Sequence, residues 1–330
     1  MARVIAFSSQ VAWGHIGNSA GVFALQRLGH DVCALPTILL SNRPGLPHVA
    51  GAPVPADTLA SMIDALDNNG WLGGVDLVMT GYLPTPEHVD VAGRLIDAVR
   101  SAQAGEKAGT HKARILCDPV MGDDPKGLYI DPDAAARIRD GLIGRADVIT
   151  PNRFELSWLS GCDVTGPTSA LSAAGALSCP AVVATSVPDA DDFIAPRLLN
   201  LLLTPSDRGA DAARSTRFPV PHRGKVPNGT GDFLAGLIAA VWLRGLTLPA
   251  AIATSVACVD TAILATQSAT GTIGDDHGPP SGRDGLDLIG SQTEWADLAE
   301  EKIAALQCRD GLRDEAQLSG RMVVPRGPRP

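Results

Sequence analysis

Short apolar runs alternate with segments whose apolar residues recur at helical spacing, and this alternation persists along most of the chain. Residues 3–9 open with an apolar run and residues 32–35 form a second, with helical spacing over 17–28 between them: strand, helix, strand. Further on, 57–68, 86–101, 132–143, 155–160 and 169–177 read as helices, while 75–80, 114–117, 147–150 and 181–185 read as strands. Such alternation predicts a mostly parallel sheet covered by helices on both faces, with right-handed crossovers. Residues 194–204 and 216–220 fit antiparallel edge strands extending that sheet. Residues 42–55 hold four prolines and two glycines, too broken for a helix, and predict a flap of short edge strands or a loop. Two helices rich in Ala and Leu are expected over 233–243 and 249–266, a surface loop over 271–292, and a last helix from about 294 to 306. No linker divides the chain, so residues 1–310 are expected to form one domain, followed by a flexible tail over 311–330.

In open parallel sheets, ligands sit beyond the carboxyl ends of the strands. The polar residues that end the strands, Ser8, Ser9, Thr80, Gly81, Asp118 and Thr150, therefore mark the expected site. Composition narrows the partners. The 330 residues are 45% hydrophobic and 19% charged, as in an ordinary globular protein, and the net charge of −9 argues against nucleic acid or an anionic membrane. No apolar run approaches the roughly 20 residues of a membrane span, and no signal-peptide pattern opens the chain, so a cytoplasmic protein is expected. Six scattered cysteines without C-x-x-C spacing read as reduced, mostly buried side chains.

The chemistry concentrates in Asn228-Gly229-Thr230-Gly231-Asp232, which opens directly into the apolar run from Phe233. The backbone must turn tightly and start a helix at once, leaving its first N–H groups free; such a terminus attracts anions, phosphates above all. A carboxylate beside a phosphate cradle is repelled by its ligand unless it has chemical work, and the natural work for Asp232 is to accept a proton from an attacking hydroxyl. Asp118 and Glu155, near two strand ends, could hold Mg²⁺ together with water and phosphate oxygens. Taken singly, each of these acids is as readily a cap or a solvent-facing charge; carboxylates, a glycine anion hole and an isolated Asp in one place are what phosphoryl transfer demands. No G-x-x-x-x-G-K-[ST] is present, so nucleotide binding is not of the P-loop kind. Gly14, Gly17 and Gly21 lack dinucleotide spacing and read as the start of a helix in close contact with the sheet.

Gly229-Thr230-Gly231-Asp232 resembles the signature of the ribokinase-like superfamily. The stretches Ser9-Gln10-Val11-Ala12-Trp13-Gly14-His15-Ile16-Gly17-Asn18, Ser41-Asn42, Thr80-Gly81-Tyr82, Cys117-Asp118-Pro119-Val120-Met121-Gly122-Asp123 and Asp147 through Glu155 narrow the resemblance to its pyridoxal kinases. The resemblance covers residues 3 to about 266 and implies a ribokinase-like three-layer α/β/α fold with a mostly parallel central sheet and antiparallel edge strands. It implies transfer of the γ-phosphate of ATP to the 5′-hydroxyl of pyridoxal or a related vitamer, forming pyridoxal 5′-phosphate in vitamin B6 salvage, with Mg²⁺ and a stimulatory monovalent cation such as K⁺, in a homodimer. By resemblance, Asp232 accepts the hydroxyl proton and Gly229, Thr230 and Gly231 supply the anion hole. Asp118 and Glu155 form the metal shell with Thr150 nearby, and Asp123, Tyr129, Asn152, Thr185, Ser186 and Thr230 surround the nucleotide. Ser9 and Tyr82 meet the pyridine ring. The family usually has S-N-H-T-G-Y where this chain has Ser41-Asn42-Arg43-Pro44-Gly45-Leu46, so the flap loses a hydroxyl at Pro44 and a ring at Leu46, and Arg43 could supply a charge to the substrate ring. That departure leaves a kinase for a related hydroxymethyl-heterocycle, such as hydroxymethylpyrimidine, or a non-catalytic pyridoxal-binding relative as alternatives. Residues 214–226, with Arg217, His222, Arg223 and Lys225, are expected to form a basic loop over ATP.

Overall fold

The computed structural model describes residues 1–104, 112–189, 197–204, 214–223, 226–270 and 285–319. Eleven strands lie among the described residues: β1 (Arg3–Trp13), β2 (Asp31–Asn42), β3 (Gly51–Pro53), β4 (Leu77–Thr80), β5 (Arg114–Cys117), β6 (Gly122–Asp123), β7 (Gly127–Leu128), β8 (Val148–Ile149), β9 (Val182–Pro188), β10 (Arg197–Thr204) and β11 (Arg214–Pro221). Nine of them form one sheet in the order β11-β10-β9-β8-β5-β4-β1-β2-β3; β6 and β7 make a separate small hairpin. The six strands from β9 to β2 run parallel, while β10, β11 and β3 add antiparallel edges. The helices are α1 (Asn18–Arg27), α2 (Ala56–Asn68), α3 (Pro86–Ala104), α4 (Pro132–Arg137), α5 (Arg153–Ser160), α6 (Pro167–Gly175), α7 (Thr230–Leu243), α8 (Leu248–Thr270) and α9 (Gln292–Ser319).

Period-two alternation along the strands divides the core into two layers. Ile5 and Phe7 of β1 face the layer that holds Leu59 and Ile63 of α2, Leu95 of α3, Ile138 and Leu156 of α5. Val4 and Ala6 face the other layer, with Leu25 of α1, Leu237 of α7, Ile252 of α8 and Trp295 of α9. Three layers follow directly: helices, sheet, helices. Trp295 is fully buried and meets Phe233 edge-on at 5.0 Å between centroids, tying α9 to the start of α7.

Several elements differ from the sequence expectation. Strand β2 runs on to Asn42 instead of stopping at residue 35, because its outer half pairs with β1 beyond a bulge and with β3. The expected helix 132–143 is α-helical only to Arg137; residues 138–142 widen into a π turn and 143–145 tighten into a 3-10 turn. α8 is long and apolar enough to cross a membrane by length and composition, contrary to the expectation that no such run exists. Its buried residues, among them Ile252, Cys258 and Ala262, lie in the core with α7 and α9. α9 continues to Ser319, past the boundary expected at residue 310; most of the loop expected over 271–292, and residues 320–330, lie outside the described residues.

Candidate active site

The parallel strands deliver their carboxyl ends to one rim, and backbone hydrogen bonds continue past the strand ends to hold that rim together. Gly81 N–H donates to the Phe7 carbonyl (2.9 Å), Asp118 N–H to Thr80 (2.8 Å), Thr150 N–H to Cys117 (3.1 Å) and Thr185 N–H to Pro151 (2.9 Å). Ser8, Thr80, Gly81, Asp118 and Asp232 consequently line one small crevice together with Gly17. The acids expected from the sequence thus meet, although 114 positions separate Asp118 from Asp232.

Asp232 is placed by glycines. Gly229 sits at φ +92° at the amino end of α7, and a Cβ there would stand 1.9 Å from the His15 carbonyl oxygen. No side chain caps this helix, so its first amides remain available to an anion. One turn on, a Cβ at Gly236 would stand 2.6 Å from the Gly21 carbonyl oxygen, so α1 and α7 touch backbone to backbone. Gly17, at φ +55°, directs its N–H to the Asp232 carboxylate. The glycines at 17 and 21 thus have the close-contact role read from their spacing.

The acids repel one another and lack cations. Burial first, and the Asp232 charge second, push the Asp118 carboxyl up to about 7, against the Thr150 hydroxyl, which donates to its Oδ1 at 2.7 Å. Burial pushes Asp232 up to about 6, opposed by the Gly17 amide. Glu155 is held well above the usual carboxylate range by burial and then by Asp118, with the N–H groups of Asn152, Met121 and Gly122 pulling the other way. Among the described residues no Lys or Arg pairs with any of the three. A buried carboxylate cluster without a counter-ion suits a hard divalent cation with oxygen ligands, and no group of three or more His, Cys, Asp or Glu positioned for a metal occurs among the described residues, so water and phosphate oxygens would have to complete the shell.

Glu155 has a further task. Its Oε1 accepts from Met121 N–H (3.0 Å) and its Oε2 from Asn152 N–H (2.8 Å), while Asn152 Oδ1 accepts from Glu155 N–H (2.9 Å), a reciprocal cap that starts α5. Asn152 Nδ2 also donates to the Gly122 carbonyl (2.9 Å). Glu155 and Asn152 therefore fasten the turn after Asp118 to the strand end at Thr150. Asp123 lies exposed on the β6–β7 hairpin, and Tyr129 just beyond it stacks on Tyr82 at 6.4 Å.

Two clefts flank the acids. The first, of about 140 Å³, is lined by Thr185, Ser186, Thr230 and Gly231 on its polar side and by Leu198, Leu234, Val256 and Ile263 on its apolar side. Ser186 adopts φ +58° there, unusual for a residue with a Cβ. The second, of about 460 Å³, is lined by Trp13, His15, Asn42, Arg43, Leu46 and His48. Arg43 lines it as expected; Pro44 is exposed and does not. Ser9 is buried behind Gly17, whose Cβ, if present, would stand 2.1 Å from the Ser9 hydroxyl. Tyr82 is anchored by its N–H donating to the Ser8 hydroxyl (3.0 Å) and its carbonyl accepting from Thr37 (2.7 Å).

The segment 214–226 carried two expectations, an edge strand over 216–220 and a basic loop over ATP, and the strand is the one found. Its first eight residues are the edge strand β11, where Arg217 is exposed opposite Leu201. Arg223 is spent on Asp260 in a two-pronged ion pair at 2.7–3.0 Å. Lys225 lies outside the described residues. Sequence reasoning missed Asp260, His15 and Asn200; Asn200 alone carried a visible signal, as the one polar residue inside the leucine run 198–203.

The model of the phosphomethylpyrimidine kinase family matches residues 51–281. Pyridoxal kinase PdxY of Leifsonia xyli is 34% identical over 245 residues, covering 73% of this chain and 81% of that protein. Pyridoxal kinase PdxY of Deinococcus radiodurans is 34% identical over 250 residues, covering 73% and 79%. Among solved structures, pyridoxal kinase from Leishmania donovani in complex with ADP aligns with a TM-score of 0.79 at 30% identity, covering 90% of this chain and 95% of that one. In sequence and in fold, therefore, the chain belongs to the phosphomethylpyrimidine kinase family, among its pyridoxal kinases of ribokinase-like fold, as a phosphotransferase with an alcohol acceptor.

Proposed function

We propose that this chain transfers the γ-phosphate of ATP to the 5′-hydroxyl of pyridoxal, producing pyridoxal 5′-phosphate in vitamin B6 salvage. The observation that carries this reading is the position of Asp232, at the rim crevice beside the uncapped start of α7, with a cleft suited to a nucleotide on one side and a cleft suited to a small heterocycle on the other. The solved relative from Leishmania donovani is a complex with ADP and pyridoxamine, which supports the same pair of ligands.

In this reading the vitamer occupies the cleft of Trp13, His15 and Arg43, and presents its hydroxymethyl group to Asp232. The carboxylate orients that hydroxyl and receives its proton late, as bonding to phosphorus develops, because even a carboxyl raised to about 6 is too weak a base to ionise an alcohol beforehand. The amides of Gly229, Thr230 and Gly231 face the charge that grows on the transferring group. Thr185, Ser186 and Thr230 hold the nucleotide. Asp118 would hold Mg²⁺ with phosphate oxygens and water, with Glu155 close behind; bound there, the cation neutralises charge on the phosphates. Glu155, Asn152 and Thr150 keep Asp118 in place. K⁺ stimulation, a homodimer, a cytoplasmic location and a single domain over residues 1–310 complete the reading.

The family model's own description favours a second substrate, a hydroxymethylpyrimidine, and Arg43 in the flap gives the ring cleft a charge the pyridoxal kinase pattern lacks. A coupled ADP-release assay of the purified protein over pyridoxal, pyridoxine, pyridoxamine and hydroxymethylpyrimidine decides between them. Turnover of a B6 vitamer is expected. Turnover of the pyrimidine alone transfers the assignment to the second substrate, and no turnover of any of the four removes both.

A further inference from the structure

Asn200 lies in the middle of β10 with leucine on either side. It is only 8% exposed, and its side chain lines the cleft assigned above to the nucleotide, among Leu198, Val220, Leu234 and Ile263. No described residue gives its carboxamide a hydrogen bond. Neither carboxamide atom is fully buried, so the small surface that Asn200 keeps is available to a ligand in the cleft it lines, and a strand that needs only hydrophobic packing at that position would carry another leucine. Thr230 and Gly231, which line the same cleft, belong to the proposed anion hole. The charged groups that line the same cleft, Arg223 and Asp260, already satisfy each other. The amide is therefore left to meet whatever flat, partly polar group fills the apolar end.

We infer that Asn200 is the base-reading residue of this kinase: its carboxamide hydrogen-bonds the edge of the adenine of the phosphoryl donor and selects it over guanine. The inference rests on the assignment of this cleft to the nucleotide. A carboxamide offers one donor and one acceptor side by side, and adenine presents the complementary pair at N6 and N7; guanine presents two acceptors, O6 and N7, and would leave the amide oxygen facing a lone pair. The apolar walls supply area to either base alike. Discrimination falls to the amide.

The test is isothermal titration of the full chain with Mg·ADP and with Mg·GDP, for the wild type, Asn200→Leu and Asn200→Asp. Wild type is expected to bind ADP more tightly than GDP by at least about tenfold. Each substitution should weaken ADP by about tenfold while GDP changes by less than about threefold, so that selectivity collapses. The melting temperature of nucleotide-free Asn200→Leu should stay level, since no hydrogen bond to a described residue is lost. Equal ADP affinity in wild type and Asn200→Leu, equal losses for both nucleotides, or a wild type indifferent to the base would overturn the inference. Because only nucleotide binding is read, a wild type that binds ADP but phosphorylates no vitamer would defeat the pyridoxal assignment and leave Asn200 standing.

Discussion

In the proposed reaction Asp232 and Asp118 have separate tasks, and burial raises the pKa of each. Replacing Asp232 by Asn keeps the shape but removes the proton acceptor; kcat is expected to fall by about 10²–10⁴, with the KM for ATP changed by no more than a few fold, in steady-state assays. Asp118 carries a stability consequence whose sign follows from its raised pKa. Unfolded, the carboxyl titrates near 4; folded, it titrates at about 7. The native state therefore holds the proton more tightly, and this advantage is fully present below pH 4 and is lost as pH rises through 7. At pH 8 the ligand-free wild type bears the full penalty, and Asp118→Asn should stabilise it by up to roughly 4 kcal/mol in urea unfolding, with no gain at pH 4. The same variant should lose activity. Stability gained and function lost in one substitution is the mark of a site strained for its ligand.

Among the elements, the contact between α1 and α7 sets the catalytic geometry. Gly21 and Gly236 bring the two backbones together, and Gly21 also abuts the Asp232 carbonyl, where a Cβ would come within 3.3 Å. Gly236→Val should therefore cost about 1–3 kcal/mol by overpacking and lower kcat as well, because α7 cannot yield without moving Asp232; chemical denaturation and kinetics on one preparation check both. In the flap, Arg43 lies between the ends of β2 and β3, over the ring cleft. Arg43→Ala is expected to raise the KM for the vitamer several fold while leaving that for ATP unchanged, which separates a substrate contact from a fault in folding.

At the scale of the whole molecule, the proposed reaction has an acidic protein binding an acidic co-substrate, which through the rim carboxylates would depend on a cation. Protonated Asp118 cannot serve as a ligand, so the Mg²⁺ concentration for half-maximal activity should rise as pH falls below about 7, by about tenfold between pH 8 and pH 6; a requirement independent of pH would remove Asp118 from the metal shell. Much of this whole was legible in the chain: the alternation of strand and helix, the apolar run that opens β1, the glycine turn before α7 and the acids at strand ends are local patterns, and a short apolar run or a period of 3.6 declares itself within a few residues. The length of β2 was not legible, because pairing partners far along the sequence decide it; the edge strand within 214–221 and the short flap strand were. Nor could the chain alone reveal that the Arg223 charge is spent on Asp260, that Glu155 gives both oxygens to backbone amides, or that Asn200 is left without a partner among the described residues. The sequence by itself determined which residue types are present and the elements that carry them. Only the tertiary structure decided which charges are neutralised and which are left for a ligand, since burial and hydrogen bonding depend on neighbours that chain order does not name.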